Sequence, residues 1–197
     1  GATAPYEHLI SSVPLPNLIP MIKGAPKDVL EAAALLCCSQ VVLVNIGLNR
    51  PVDFRAQWTY FYDSEIPFAR LSFPSTFSRA NAPEGCGSIQ AEVYFSEKWK
   101  PLTGTPDDWI EPTIEGLLAC GLVKDRSEII HRSTVFAPFA NIIFDHDRPK
   151  SIATVHGYLD SIGINYCGRY GDWGYIWTDD AFKSGEGAAQ RALDRRR

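Results

Sequence analysis

The alternation of apolar and polar residues predicts β-strands through most of the chain. Short runs rich in β-branched and aromatic residues recur between turn-forming segments such as DSEIP and NAPEGCG. The predicted strands are 6–13, 41–48, 57–62, 68–73, 88–95 and 134–143. Because few helices separate these runs, the strands are expected to form a largely antiparallel or mixed sheet.

Helical patterns lie between the predicted strands. The stretches 27–37, 106–120 and 149–161 are predicted as helices, and shorter helical turns are expected at 18–22 and near Asp125. Pro112 lies inside the second helix and marks either its true start or a kink. Together these elements predict an α+β fold, with helices on one side of the sheet.

Residues 162–197 follow a different pattern. A short strand at 163–167 leads into the glycine-punctuated segment GRYGDWGYIW, and a helix is predicted to begin at Thr178. Such a strand–loop–helix unit ordinarily belongs to a layered sheet, but the sequence contains no GxGxxG fingerprint of a companion βαβ unit. We therefore predict a domain boundary after residue 161 and a tail strand without a partner.

Composition and charge argue against several classes of function. The 23 acidic and 19 basic residues are spread along the chain, with a net charge of −4, so no nucleic-acid-binding face is expected. The five cysteines and four histidines lack the spacing of a metal centre or a disulfide framework, which favours a reducing cytoplasm. No apolar run approaches the ~20 residues of a transmembrane helix.

The tail glycines suit a backbone that approaches a flat or phosphorylated ligand closely. Gly168, Gly171 and Gly174 lack Cβ atoms, so their N–H groups are expected to be available to a ligand. The helix that follows points its partial positive charge towards the same place. Gly185 and Gly187 inside that helix suggest close packing against a neighbour or cofactor. Ordinary turn chemistry is the alternative for the glycine-rich segment.

Three tail motifs resemble the C-terminal flavin segment of the amine oxidase and protoporphyrinogen oxidase superfamily. They are GRYGDWGY at 168–175, TDDA at 178–181 and SGEGAA at 184–189. Upstream, residues 59–99 are similar to substrate-domain strands of bacterial amine oxidoreductases, and residues 6–22 are similar to that group's isTiPL segment. The shorter pattern GR-x-x-x-[YW] is also similar to UDP-galactopyranose mutase.

The resemblance implies an FAD enzyme whose tail contacts the isoalloxazine, ribityl chain or pyrophosphate, largely through its backbone. The implied cofactor contacts are Gly168, Arg169, Tyr170, Gly171, Trp173, Tyr175, Asp179 and Asp180. Arg169 would favour the reduced flavin anion, since a cation stabilises negative charge that develops nearby.

Alternative roles remain open for two groups of these residues. Arg169 is equally suited to an ion pair with Asp172 or Asp179. The aromatic residues of the segment, which alternate as in a strand, are equally suited to core packing; they are Trp173, Tyr175 and Trp177.

The resemblance also implies a division of roles along the chain. Residues 1–161 would form the substrate-binding domain, and residues 162–197 the C-terminal segment of a Rossmann-like FAD-binding domain. Because the dinucleotide fingerprint is absent, we expect a missing FAD-binding half as the partner of this chain. The chain alone is then expected to bind FAD weakly or not at all, and to be inactive.

Substrate contacts are expected on the predicted sheet. Tyr60, Tyr62 and Arg70 lie on strands whose counterparts face the flavin in such enzymes, with Ser72 and Ser78 as further candidates. The alternative for Arg70 and the serines is a water-facing surface role. No catalytic acid–base set is identified, so any chemistry would be carried out by the flavin.

Three hypotheses follow for a small-molecule substrate. The first, which we prefer, is that the chain is a fragment of an oxidoreductase of amine-oxidase type, in which a hydride moves from a C–N or C–C bond of an organic substrate to the flavin. The second is a sugar-nucleotide mutase that uses flavin without net redox change. The third is a binding domain without catalysis.

Overall fold

The computed structural model describes residues 4–194, and over that range the chain forms seven β-strands and seven α-helices. The strands are β1 Leu9–Ser11, β2 Gln40–Leu48, β3 Trp58–Tyr60, β4 Arg70–Ser72, β5 Gly87–Phe95, β6 Ile129–Ala137 and β7 Ile164–Tyr166. The helices are α1 Leu15–Met21, α2 Lys27–Leu35, α3 Pro74–Phe77, α4 Ile110–Ala119, α5 Arg148–Ser161, α6 Gly168–Gly171 and α7 Thr178–Asp194. Short 3₁₀-helices occupy Arg79–Asn81, Pro106–Trp109 and Arg126–Glu128.

The chain divides into two compact units. One contains the described residues 4–38 and 141–194, and the other contains Ser39–Ala140. The division groups the start of the chain with its end. The boundaries of these units, at 38/39 and 140/141, differ from the predicted boundary after residue 161. The roles assigned to 1–161 and 162–197 stay predictions.

The Ser39–Ala140 unit is built on a five-stranded sheet in the order β3-β4-β5-β2-β6, with every neighbouring pair antiparallel. Its core comes from the alternate residues of β2 and β5, which are mostly β-branched and therefore suit a pleated, buried surface. Ile114 and Leu117 of α4 pack into this core. The predicted α+β class with a largely antiparallel sheet is confirmed.

The start of helix α4 is marked in the sequence by acidic residues and by prolines. Thr105 and Asp108 form a capping box before it, and the backbone and side chain of Thr105 lower the pKa of Asp108. Pro112 lies in the first turn of α4, where its missing N–H would have no partner within the helix. The predicted helix at 106–120 is therefore a 3₁₀ turn followed by an α-helix.

Strand β6 corrects the predicted strand at 134–143. It begins at Ile129, five residues earlier, and ends at Ala137, just before Pro138. Strand β6 lies at the sheet edge, so several of its side chains are exposed and polar. The hydrophobicity pattern of the sequence therefore does not reveal its first half. The exposed side chains of β6 form hydrogen bonds: Arg132 donates to Glu111, and Thr134 donates to Asp107.

In the other unit, β7 pairs in parallel with β1, with Leu9 opposite Ile164. The expectation that the tail strand lacks a partner is therefore wrong: β1, from the opposite end of the sequence, is its neighbour. Helices α2 and α5 pack together, and α7 packs on α6, β1 and β7. Gly163 follows α5 in the left-handed conformation with φ of 76°, which ends the helix where the sequence predicted.

Candidate functional site

The glycine turn, defined here as residues 168–176, connects β7 to α7. It opens with the one-turn helix α6, which corrects the predicted loop, and Gly168 takes the left-handed φ of 73°. The N–H of Asp172 donates to Gly168 O at 2.8 Å, and the N–H of Gly174 donates to Arg169 O at 3.1 Å. The turn is thus closed by its own backbone.

Helix α7 adds a side-chain bond to the start of the turn. The N–H of Gly168 donates to Ser184 Oγ at 2.9 Å, and the Ser184 hydroxyl donates to Asp172 Oδ2 at 2.5 Å. The N–H groups of Gly168 and Gly174 therefore have partners inside the chain. This corrects the expectation that both are available to a ligand.

Arg169 is held by neutral groups. Its guanidinium donates to Asn141 Oδ1 at 3.2 Å and to Ile176 O at 2.8 Å, and it lies 5.5 Å from the centre of the Tyr175 ring. These contacts replace the ion pair with an aspartate that the sequence left open. Arg169 therefore ties the end of the turn to its beginning.

The aromatic residues of the turn divide into a buried and an exposed set. Trp173 is completely buried and takes a left-handed φ of 49°, which favours the packing role for its ring. Tyr175 and Trp177 are exposed, and no strand forms between them. Tyr170 is half-buried, and burial raises its pKa.

Phe182 extends the exposed aromatic set along α7. Its side chain is 70% exposed, and with Trp177 it lines a shallow concavity over the first turns of the helix. Sequence reasoning missed Phe182 because one apolar residue on a helix carries no signal by itself.

Asp179 and Asp180 lie exposed in the first turn of α7. Two carboxylates there compensate the positive end of the helix dipole and reduce its attraction for an anion. Carboxylates accept hydrogen bonds from hydroxyl groups. Among the implied cofactor parts, the ribityl hydroxyls therefore fit this helix start better than the pyrophosphate does.

The polar sheet face is the second candidate region; it comprises Arg70, Ser72, Gln90, Glu92, Tyr94 and Asn45, with Tyr60 at its border. The register places Arg70 opposite Glu92, and Ser72 opposite Gln90, which is opposite Asn45. All point away from the face that carries the core, because side chains alternate along a strand. Gln90 Nε2 donates to Asn45 Oδ1 at 2.8 Å.

Arg70 and Glu92 form the charged centre of the polar sheet face. Arg70 Nη2 donates to Glu92 Oε1 at 2.5 Å, and the Tyr94 hydroxyl donates to Glu92 Oε2 at 2.6 Å. Glu92 is only 4% exposed, and its hydrogen bond raises the pKa of Arg70 above its ordinary value. Sequence reasoning missed Glu92 because only the strand register brings it opposite Arg70.

The predicted substrate residues are only partly brought together. Tyr60 is half-exposed on β3, and the Arg70 guanidinium lies 6.0 Å from the centre of its ring. Tyr62 lies beyond the end of β3 and is 92% exposed. Arg70 is thus a half-buried, paired group, unlike the water-facing residue that the sequence left as its alternative.

The described residues contain neither a candidate metal site nor a candidate membrane-spanning helix. Between residues 4 and 194, no cluster of three or more His, Cys, Asp or Glu side chains could hold a metal ion. Within the same range, the helices are too short or too polar to cross a lipid bilayer.

Three solved structures, among them a UDP-galactopyranose mutase, are similar to this chain. The chain matches a reduced UDP-galactopyranose mutase over 98% of its length, with a TM-score of 0.88 and 28% identity, and covers 42% of that chain. It matches a protoporphyrinogen-oxidase-like protein of an Exiguobacterium species over 95%, with a TM-score of 0.70 and 10% identity, covering 41% of it. A Pyrococcus furiosus protein matches over 95%, with a TM-score of 0.58, 14% identity and 41% of its length covered.

These likenesses confirm the resemblance to the FAD-dependent amine-oxidase-like superfamily. The chain spans about two fifths of the length of the solved structures that it matches. No protein-family model and no curated protein matches the sequence.

Proposed function

We propose that this chain supplies the substrate-binding surface and the flavin-contacting tail of an FAD-dependent enzyme that acts on a nucleotide sugar. The observation that carries the proposal is the likeness to UDP-galactopyranose mutase, which extends over 98% of the chain at 28% identity. Of the hypotheses drawn from the sequence, this likeness favours the mutase.

The proposed flavin contacts lie in the glycine turn and at the start of α7. Tyr175 and Trp177 are exposed, so their rings are free to meet the isoalloxazine. Asp179 and Asp180 would accept hydrogen bonds from the ribityl hydroxyls. Arg169 would add a positive charge near the flavin, which stabilises its reduced anion.

The proposed substrate contacts lie on the polar sheet face. Arg70 Nη2 binds Glu92, and a guanidinium carries further donors in a planar arrangement that suits the paired oxygens of a diphosphate. Tyr60 and Tyr62 would line the same surface from β3 and the residues after it. The flavin supplies the chemistry at the sugar, while these residues bind and orient the substrate.

Binding of the whole cofactor requires a further nucleotide-binding fold. The sequence contains no GxGxxG fingerprint, so the ADP half of FAD has no recognisable phosphate loop here. The proposal therefore includes an FAD-binding half as partner. It also includes a cytoplasmic location, which the five cysteines without disulfide spacing support. We expect the 197-residue chain by itself to bind FAD weakly, through the proposed contacts to its flavin half alone.

An oxidoreductase of amine-oxidase type is the second candidate. It is favoured by the fold likeness to a protoporphyrinogen-oxidase-like protein, with a TM-score of 0.70. In that case, the polar sheet face would hold an organic substrate whose C–N or C–C bond gives a hydride to the flavin.

Titration of the chain with UDP tests the substrate half of the proposal. UDP is expected to bind, and Arg70→Gln is expected to weaken binding by about tenfold, the scale of one charge-assisted contact. Arg79→Gln, at an exposed arginine outside the sheet face, is the matched control. UDP binding that is absent, or that ignores the Arg70 change, would overturn the nucleotide-sugar assignment. Bleaching of added flavin by an amine would favour the oxidoreductase.

A further inference from the structure

Two side chains of α5 reach the backbone carbonyls of the glycine turn. Arg148 donates from Nε and Nη2 to Trp173 O, at 3.1 and 2.6 Å. His156 Nε2 lies 2.9 Å from Gly171 O. Since a carbonyl oxygen only accepts, the His156 ring carries its proton on Nε2. Helix α5 therefore binds the turn at two points that are two residues apart.

Both side chains are themselves fixed by stacking. The His156 ring lies flat against the Tyr166 ring, with centroids 3.9 Å apart and planes 8° apart. The Arg148 guanidinium lies 4.0 Å from the centre of the Phe144 ring. Because stacking restricts both donors to one orientation, their bonds to the carbonyls restrict the turn in the same way.

The carbonyl that Arg148 binds belongs to the most constrained residue of the turn. Trp173 has a left-handed backbone, which L side chains adopt rarely, and its ring is completely buried. Without an external partner for its carbonyl, this conformation would compete with ordinary extended or helical ones. Arg148 supplies that partner, and the exposed residues Tyr175 and Trp177 follow directly in the chain.

We propose that Arg148 and His156 are positioning residues, which fix the carbonyls of Trp173 and Gly171 so that Tyr175 and Trp177 face the flavin in one defined geometry. The inference rests on the proposed flavin contact of the glycine turn. Neither residue touches the cofactor; each acts through the backbone that it holds. The sequence motifs of the flavin segment contain neither residue, because α5 precedes them in the chain.

Fluorine NMR of the chain labelled with 5-fluorotryptophan tests the proposal. Trp173 and Trp177 report on the turn, while Trp58, Trp99 and Trp109 report on the Ser39–Ala140 unit. Arg148→Met and His156→Phe each remove the donor but keep the bulk or the flat ring. Both are expected to move the Trp173 and Trp177 resonances and to leave the other three in place.

Two further variants serve as rescue and control. His156→Gln restores an N–H donor at about the same reach, so its Trp173 resonance is expected to return towards the wild-type position. Lys150→Met removes a charge from the exposed side of α5 and is expected to move neither reporter. If Arg148→Met and His156→Phe leave both turn reporters unchanged, or act no differently from Lys150→Met, the positioning role is overturned.

A titration with FMN separates this inference from the proposed function. FMN is expected to move the Trp177 resonance of the wild-type chain, with about tenfold weaker binding in the two donor-free variants, the scale of outer-shell partners. If FMN leaves Trp177 unmoved in the wild-type chain, the flavin contact fails. The turn reporters still decide the positioning role in that case.

Direct observation of the donor protons guards against variants that unfold. In the wild-type chain, the His156 Nε2 and Arg148 Nε protons are expected to exchange slowly with solvent and to show correlations to the carbonyl carbons of Gly171 and Trp173. Exchange at the rate of exposed side chains would overturn the proposal without any substitution.

Discussion

Glu92 shows how a single residue organises the polar sheet face. Its carboxylate is almost fully buried and accepts from both Arg70 and Tyr94. Burial of a charge is costly unless partners satisfy it, so these three side chains depend on one another. The arrangement keeps Arg70 charged and fixes the orientation of its guanidinium.

Glu92→Gln is expected to destabilise the fold by about 1–3 kcal/mol, because Arg70 loses a charged acceptor in a buried setting. Urea denaturation measures the change in the free energy of unfolding. Glu84→Gln, at an exposed glutamate, is the control and is expected to have a smaller effect. Equal effects of the two changes would show that the buried pair contributes nothing to stability.

His156 makes the stability of the chain depend on pH. Burial lowers its pKa below the ordinary value, against the opposing effect of Gly171 O, Asp172 and Asp160; Arg148 lowers it further. The unfolded chain therefore binds a proton at a higher pH than the folded chain does. The stability from neutral His156 is complete above about pH 6.5 and is lost as the pH falls through the lowered folded pKa.

Thermal unfolding between pH 8 and pH 5 tests this dependence. The wild-type melting temperature is expected to fall on the acid side, and His156→Phe is expected to reduce that slope because the ring no longer titrates. His146→Phe, at an exposed histidine, keeps the slope. An unchanged slope in His156→Phe would assign the acid sensitivity to other groups.

At the scale of elements, α7 is a 17-residue helix that contains Gly185 and Gly187. Two glycines lie in its interior, and a Cβ at Gly185 would meet nothing within 4 Å. The expected close packing of Gly185 against a neighbour is therefore not found in the described chain.

Gly185→Ala is expected to stabilise the isolated chain by about 0.5–1 kcal/mol, because alanine loses less conformational entropy in a helix. Gly168→Ala, at a left-handed position, is the contrasting change and is expected to cost about 1–2 kcal/mol. Urea denaturation compares the two variants with the wild-type chain. Destabilisation by Gly185→Ala would mean that α7 has a close neighbour at this position.

Elements differ in how far their sequence defines them. Strand β2 matches its prediction closely because its run is rich in β-branched residues and its alternate residues are buried in the core. Strand β6 does not, because an edge strand with exposed polar residues takes its structure from backbone pairing with β2. The one-turn helix α6 depends on the hydrogen bond from the Gly168 N–H to the Ser184 hydroxyl and on the left-handed conformation of Gly168. A local sequence pattern reveals neither.

At the scale of the whole molecule, the core of the Ser39–Ala140 unit is self-contained. Its buried cluster runs from Val42 to Val123 and draws on no residue outside the unit. The Ala140 N–H donates to Ser39 O at 2.8 Å, so the two ends of the segment meet. A domain of about 100 residues is large enough to fold on its own core.

Residues 39–140, produced alone, are therefore expected to fold. Far-ultraviolet circular dichroism is expected to show a β-rich spectrum, and urea is expected to unfold the segment in one cooperative transition. A segment truncated at 39–120 lacks β6, which pairs with β2 at the sheet edge, and serves as the control. A disordered 39–140 segment would show that the other unit is needed for its stability.

The sequence by itself determined the fold class, most helices and strands, and the superfamily resemblance, because these depend on local periodicity and on contiguous motifs such as GRYGDWGY. It also placed Arg70, Tyr60 and the tail residues among the candidates. Only the tertiary structure decided that β1 pairs with β7, that Glu92 holds Arg70, and that Arg148 and His156 hold the glycine turn. Each of these contacts joins residues distant in the chain through register or helix packing, and a one-residue shift would abolish it without altering any local pattern.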